Sequence, residues 1–427
     1  AARPIVVYGA TGTAGRLIVR VLLARGHRVT LSGRDPARLA GLAGELARTG
    51  HGSGAVDVRP AAIHDRARLA AAMDGAGLVV ACAGPFARVG EPVARTAVAS
   101  GLRYLDIATE QRFLRALYEG CDAAARRAGL TVLGGMGAQV ALGDFAAHAA
   151  AAALPRAELG ASPAHAVTEP VDEVAVIYGL RGLRPSAGMR QALASSMTGV
   201  GYAWVRDRWD EVAAMAEYRS ARIPAAALER TSLEPHPAGG RAPDADGSGG
   251  GDDGDGGDDG SAGAEWLGEL RTAVSFPSGE VITVPRHVRA ERVQTYVAVA
   301  AGDPLGPWLR RLLPTVGSAL SWLLRSPLAA QARSLLDIGP AAPSPDERAG
   351  CRFAVVAEAR RGQDRARVMV SGGDVHATTA TIVAWAAERL LTVEALPTGV
   401  LAPSEVFAAD RLLAELAAAG HVTVWRE

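Results

Sequence analysis

Gly9-Ala-Thr-Gly12-Thr-Ala-Gly15 lies between an apolar run, Ile5-Val-Val-Tyr8, and a stretch patterned as a helix, Thr13–Arg25. A dinucleotide pyrophosphate must approach the backbone closely and rest on the N–H groups of a helix N-terminus, which demands residues without Cβ at the turn. Gly9 and Gly12 supply that turn, and Gly15 lets the helix close onto the sheet. The hydroxyls of Thr11 and Thr13 can bond phosphate, and Ala14 completes the phosphate-binding set. The second strand, His27–Leu31, ends at Ser32-Gly33-Arg34, with Asp35 one residue beyond the usual acidic position. An acid there would take the ribose 2′-OH, whereas Arg pairs with a 2′-phosphate, so NADPH is the expected cofactor and NADH the less favoured one. Asp57, read as the end of the third strand, could bond the adenine amine. Ala83-Gly84-Pro85-Phe86, at the end of the fourth, makes a tight loop where the nicotinamide half would run.

Candidate catalytic groups follow the fifth strand. Tyr104 and Asp106 alternate along it and share a face, and Glu110 lies in the loop beyond its C-terminal end, where open α/β sheets bind ligands. Hydride delivery to C=N or to an acyl-conjugated C=C leaves negative charge that a nearby acid or hydrogen-bond donor stabilises, and Tyr104 is the expected donor. The competing reading has Tyr104 packed inside, with Asp106 and Glu110 holding the loop through Arg103 or Arg112. His148 and His376 belong to no recognisable triad or metal cluster and read as structural.

The elements that must position these groups alternate strand and helix through the first 150 residues, the pattern of a parallel sheet covered on both faces. The expected third strand is Gly54–Val58, and further strands are Leu78–Ala83, Leu102–Ile107 and Leu130–Leu133. Beyond residue 170, strand-rich segments follow one another without helices between them, including Glu173–Leu180, Leu270–Phe276, Val281–Val284, Val288–Ala298, Phe353–Arg360 and Arg365–Val370. Helices are expected at Ser186–Met197, Val205–Tyr218, Pro307–Leu336, His376–Leu391 and Glu405–Ala418, with a last strand at His421–Trp425. The fold class is therefore α/β: an N-terminal Rossmann-type doubly wound parallel sheet with a second α+β domain on a mostly antiparallel sheet. The expected division is 1–150 for the NADP-binding domain and 151–375 for a substrate and dimerisation domain, with 376–427 packing back on the first. The Gly/Asp-rich stretch 238–264 has no large apolar residue and reads as a solvated loop, since its Asp spacing matches no calcium-binding loop. The apolar surface around Trp308, Leu312 and Trp322 could cover a greasy substrate or a subunit interface, core packing being the expected role.

Composition removes whole classes of function. The 427 residues hold 45 basic and 45 acidic side chains, so no basic surplus exists for nucleic acid. Neither Lys nor Asn occurs, which excludes Schiff-base chemistry, a P-loop Lys and the Tyr-x-x-x-Lys pair of short-chain dehydrogenases. Cys82, Cys121 and Cys351 are odd in number and widely separated, which points to a reducing compartment without structural zinc. No stretch reads as a membrane span or a signal peptide, and a cytoplasmic location is the default expectation. The expected partners are a small-molecule or carrier-bound substrate and, as an open reading, a second copy in a homodimer.

The run Tyr8-Gly-Ala-Thr-Gly12, then Gly84-Pro-Phe86, then Gly101-Leu-Arg-Tyr104-Leu-Asp106-Ile-Ala-Thr-Glu110 resembles the saccharopine dehydrogenase-like family, including its trans-acting enoyl reductase branch. Asp144 and Gly399-Val-Leu-Ala-Pro403-Ser-Glu405 also resemble its members, so the likeness covers most of the first 150 residues and returns in the last 55 or so. The resemblance implies a nicotinamide-dependent oxidoreductase of a family that reduces imines in amino-acid metabolism or enoyl groups in lipid and polyketide assembly. One departure stands out: members commonly carry Gly-Phe-Asp-Ser-x-Pro-x-Asp after the sixth strand, and here Gly137-Ala138 replaces the polar Asp-Ser pair. That implies a smaller or less polar pocket and a tilt toward lipid- or polyketide-like substrates. A non-catalytic NADP(H) sensor is the alternative from another class.

Overall fold

The computed structural model describes residues 3–50, 54–155, 167–198, 201–212, 217–223, 227–228, 269–298, 340 and 342–427. The expectations for 238–264 and for 307–336 lie outside the described residues. The first sheet contains β1 (Ile5–Tyr8), β2 (Val29–Gly33), β3 (Val56–Pro60), β4 (Leu78–Ala81), β5 (Arg103–Asp106) and β6 (Thr131–Leu133). Its helices are α1 (Thr13–Ala24), α2 (Pro36–Arg48), α3 (Arg66–Met73), α4 (Phe86–Ala99), α5 (Gln111–Arg127) and α6 (Ala138–Ala153). Asp35 and Asp65 start α2 and α3 by accepting the backbone N–H of the third helical residue, Arg38 and Arg68, each at 3.0 Å.

The second unit holds β7 (Val167–Arg181), α7 (Ala187–Thr198), β8 (Gly201–Val205), β9 (Arg208–Val212), β10 (Tyr218–Ile223), β11 (Glu269–Ser275), α8 (Glu280–Thr283), β12 (Val288–Ala298), α9 (Pro345–Ala349), β13 (Arg352–Arg361) and β14 (Asp364–Gly373). The chain ends with α10 (Val375–Thr392), β15 (Gly399–Leu401), α11 (Pro403–Val406), α12 (Ala409–Ala418) and β16 (Val422–Arg426). All seven strands of the first sheet, in the order β15-β6-β5-β4-β1-β2-β3, pair in parallel. The second sheet runs β10-β11-β12-β7-β13-β14-β16 with β8 and β9 attached, and its only parallel pair among the described residues is β12 with β7. This is the α/β architecture with a mostly antiparallel second sheet that the patterning implied.

Helix α6 joins the two sheets. Val140 to Ala147 is buried without interruption, and alanines along the helix bring its axis close to β13 and β14 as well as to α10 and α12. A helix enclosed on all sides shows no amphipathic stripe. After residue 375 the chain serves both units: α10 packs beside α1 and α6, β15 extends the first sheet, and β16 extends the second. Among the described residues no helix is long and apolar enough to cross a membrane.

Several expected elements take another form. Val205–Tyr218, expected as a helix, contains the last residue of β8, the turn after it, all of β9 and the first residue of β10. Arg206 and Asp207 turn the hairpin with positive φ of 46° and 64°, and Trp204 faces Trp209 across it. Val281–Val284, expected as a strand, is helical. Gly279 before it and Pro285 after it leave no room for a ladder, and the segment is buried against α5 and α6. The helix expected over Glu405–Ala418 breaks at Phe407 and Ala408, both extended. The third strand starts at Val56, two residues later than expected.

Candidate functional site

The C-terminal ends of β1, β2, β4, β5 and β6 form one rim, and the glycine turn occupies its centre. Gly9 has φ of +89°, and a Cβ there would come within 2.6 Å of Ala83 N, so the first and fourth loops touch only because Gly9 has no side chain. A Cβ at Gly15 would strike the Gly9 carbonyl oxygen. Gly12 is exposed and caps α1 without any side-chain hydrogen bond, and the first turn of α1 has no acidic residue. The helix therefore presents its leading N–H groups, from Thr13, Ala14 and Gly15, to whatever lies on the turn. Thr11 and Thr13 are half-buried beside it.

The end of β2 braces this turn. The Ser32 carbonyl accepts the N–H groups of Gly9 at 2.8 Å and Ala10 at 3.3 Å, while its fully buried hydroxyl has no partner. Arg34, past Gly33, is exposed and makes no ion pair among the described residues; Asp35, the partner a bland turn would give it, is spent on the α2 cap. Arg38 also reaches the turn, its guanidinium Nη2 lying 3.5 Å from the Thr11 carbonyl. Its position in the first turn of α2 hid it from a reading that searched only the strand end. A bare glycine cradle, an uncapped helix N-terminus, an orphaned hydroxyl and two cations without carboxylate partners fit a phosphorylated dinucleotide.

Asp57 does not belong to this set. It is the second residue of β3, at the edge of the sheet away from the rim. It is exposed, bonded to Arg59 Nε at 2.8 Å and to Val58 N at 2.8 Å.

The nicotinamide half of the rim is organised differently. Glu110 is buried and its Oε1 accepts Phe86 N at 2.8 Å, while Oε2 accepts Thr109 N at 3.2 Å, so it pins the start of α4, just after the Ala83-Gly84-Pro85 loop, to the loop before α5. Burial pushes its carboxyl above the usual range, against the pull of those N–H groups. Asp106 Oδ1 accepts Ala108 N and Gly135 N, both at 2.9 Å, and ties the fifth loop to the sixth. Burial raises the Asp106 carboxyl to about 7 despite those hydrogen bonds. Tyr104 is fully enclosed, its hydroxyl beside Asp106 but without a normal hydrogen bond, and burial raises it well above the usual range. The expected donor role of Tyr104 is thus not what the structure favours, and the loop-holding reading of Asp106 and Glu110 fits. Arg103 does not assist them: it bonds the Leu390 and Val393 carbonyls.

Gln111, Glu280 and His287, absent from the sequence reading, join the rim to the second unit together with Asp144 and His148, which that reading named. Gln111, buried beside Glu110, donates to the Tyr202 carbonyl at 3.1 Å and the Ser278 carbonyl at 3.0 Å and accepts Tyr202 N at 2.7 Å. Asp144 accepts Ser404 N at 2.9 Å and bonds His287 Nε2 at 2.9 Å, so the two outlying segments that carried the family resemblance meet in space. Burial alone would raise the Asp144 carboxyl; His287 and the neighbouring hydroxyls outweigh it and hold it below the usual range. His148 reaches His287 through their Nδ1 atoms at 3.1 Å. Glu280 is fully buried with neither oxygen bonded, and burial pushes its carboxyl well up. No group of His, Cys, Asp and Glu among the described residues could hold a metal ion.

Comparison with known proteins agrees with this geometry. Residues 5–133 match a family model described as the saccharopine dehydrogenase NADP binding domain. Among solved structures, apo histidine-tagged saccharopine dehydrogenase (L-Glu forming) from Saccharomyces cerevisiae matches over 100% of both chains, at 13% identity and a TM-score of 0.59. Pen from Bacillus thuringiensis is 17% identical over 31% of this chain and 49% of its own, with a TM-score of 0.26. No curated protein matches. Residues 5–133 are thus similar to a saccharopine dehydrogenase NADP binding domain, and the chain as a whole shares the fold of the yeast enzyme.

Proposed function

We propose that the protein is an NADPH-dependent reductase that passes hydride to a polarised C=C or C=N bond of a lipid- or polyketide-like substrate, free or carrier-bound. The carrying observation is the uncapped glycine turn with Arg34 and Arg38 beside it, neither paired to a carboxylate. Bound there, the cofactor would supply the hydride. The chain's own residues do the rest. Gly9, Gly12 and Gly15 admit the pyrophosphate, Arg34 and Arg38 answer the 2′-phosphate, and Glu110 and Asp106 hold the loops that flank the ring. The start of α6 favours an apolar substrate: Gly137 and Ala138 are buried and carry no polar side-chain atom, and Ala138 N is already bonded to Thr379 Oγ1 at 3.1 Å.

An imine-reducing amino-acid dehydrogenase is the alternative, and the name of the yeast enzyme with the same fold supports it. A sensor that binds NADP(H) without turnover draws on a different fact, the structural use of Asp106, Glu110 and Tyr104. Calorimetry with NADPH and loss of its absorbance in two panels separate the three. Consumption with enoyl thioesters supports the reductase reading, and consumption with 2-oxo acids plus amino acids supports the imine reading. Tight binding with no consumption in either panel supports the sensor.

A further inference from the structure

Helix α10 runs parallel to α1. Near its C-terminal end Glu388 bonds Arg25 at 2.8 Å and His27 at 3.2 Å, both just past the end of α1, and Leu391 packs on Gly77, just before β4. Its N-terminus therefore stands at the ligand-binding rim, between the N-termini of α1 and α6. The Thr379 hydroxyl, which accepts Ala138 N at 3.1 Å, locks it against the first residue of α6. His376 lies three residues earlier on the same helical face, and helical side chains lean toward the N-terminus. Its imidazole therefore leans toward the rim end of α10, beyond the Thr379–Ala138 contact.

This imidazole is 6% exposed, and its Nε2 is fully buried with no partner. The Asp374 carboxylate is spent on the N–H groups of His376 at 3.2 Å and Ala377 at 3.1 Å. Asp374 itself is held left-handed, φ +45°, a costly conformation for a non-glycine residue, to make that cap. A buried nitrogen without a hydrogen bond costs free energy unless a ligand answers it.

We propose that His376 Nε2 is the ligand-facing group at the nicotinamide end of the rim, hydrogen-bonding the carbonyl or imine nitrogen of the group that accepts hydride. This rests on the NADP reading above. Asp374 and, from α9, Arg348 are the charged groups acting on the ring among the described residues, and burial lowers its proton affinity. It therefore meets the substrate as a neutral imidazole rather than as a standing cation.

The test uses the intact ¹⁵N-labelled protein and compares its histidine ring signals in the NADP⁺ and NADPH complexes. The two cofactors differ only at the nicotinamide, which is cationic when oxidised. The His376 signal is assigned by its loss in His376→Gln or, should that variant not fold, by elimination against single replacements at the other histidines. The expected result is a different His376 ring shift in the two complexes and a titration midpoint lower with NADP⁺ by roughly 1.7 pH units, the order produced by a unit charge ~7 Å away at an effective dielectric near ~20. His64, exposed in the loop after β3, should not distinguish them. Identical His376 behaviour in both complexes, with calorimetry showing both bound, overturns the proposal alone. Absence of binding overturns the NADP reading and this proposal with it.

Discussion

Between β1 and β2 the rim presents N–H groups and the Arg34 guanidinium, which no described residue pairs, whereas between β4 and β6 Asp106 Oδ1 and both oxygens of Glu110 are taken up by backbone N–H groups. The first half is shaped for a ligand's charge. The second is shaped for its own rigidity, and its acids hold loops in place instead of facing a substrate. An acidic residue at the end of a parallel strand is thus as readily a brace as a catalyst. The difference lies in whether N–H groups from neighbouring loops converge on it.

The largest expected effect breaks the brace. Asp106→Ala strands the N–H groups of Ala108 and Gly135, at a cost of ~1–3 kcal/mol each, and should lower the melting temperature sharply. Asp106→Asn keeps an acceptor and isolates the charge. Because the folded carboxyl is raised to about 7 from an unfolded value near ~4, the native state binds the proton more tightly. The Asp106 contribution to stability should then be fully present below pH ~4 and be lost, by on the order of 4 kcal/mol, as pH rises through ~7. In Asp106→Asn that slope should flatten, as denaturant titrations across the range would report. An unchanged slope would mean that Asp106 is ionised in the native state.

Next comes the cradle. Gly15→Val drives a side chain into the Gly9 carbonyl, an overpacking worth ~1–3 kcal/mol, and should abolish NADPH binding in calorimetry while the second sheet stays folded. Retained affinity would place the dinucleotide elsewhere. Arg34→Ala is expected to weaken NADPH roughly 10–100-fold and NADH hardly at all, since a charge-assisted pair contributes ~1.5–3 kcal/mol. Equal losses for both cofactors would show that Arg34 does not read the 2′-phosphate. The smallest effect is at Asp57, where Asp57→Asn loosens an exposed pair with Arg59 and should leave NADPH affinity within about 2-fold of wild type. A larger loss would return the residue to the site.

β1, β2, β4, β5 and β6 were legible because each lies in a short run rich in apolar residues that is set off by a turn and followed by a helix, whereas β15, which joins the same sheet from residue 399, was not read as a strand. Asp35 and Asp65 cap the next helices as their positions imply. The glycine turn was legible for a similar reason, since a tight turn against a neighbouring loop tolerates only Gly at positions 9 and 15. Local patterning failed where a partner decided the conformation. Val281–Val284 is rich in β-branched residues, yet it is a buried helical turn between α5 and α6. The β8–β9 segment reads as a charged helix until Trp204 finds Trp209 across a turn.

What the amino-acid order determined by itself is local: strand and helix periods, caps, and the absence of Cβ where a pyrophosphate has to pass. Tertiary structure decided which polar groups remain free. Asp106 and Glu110 read as acids in a cleft, and only the loops folded onto them turn them into braces. His376 read as an unremarkable helix residue, and only the docking of α10 between α1 and α6 places its unbonded nitrogen near the rim. The reason is that hydrogen-bond satisfaction belongs to pairs of groups far apart in the chain. Asp144 meets Ser404 across 260 residues, a pairing that no window of sequence contains.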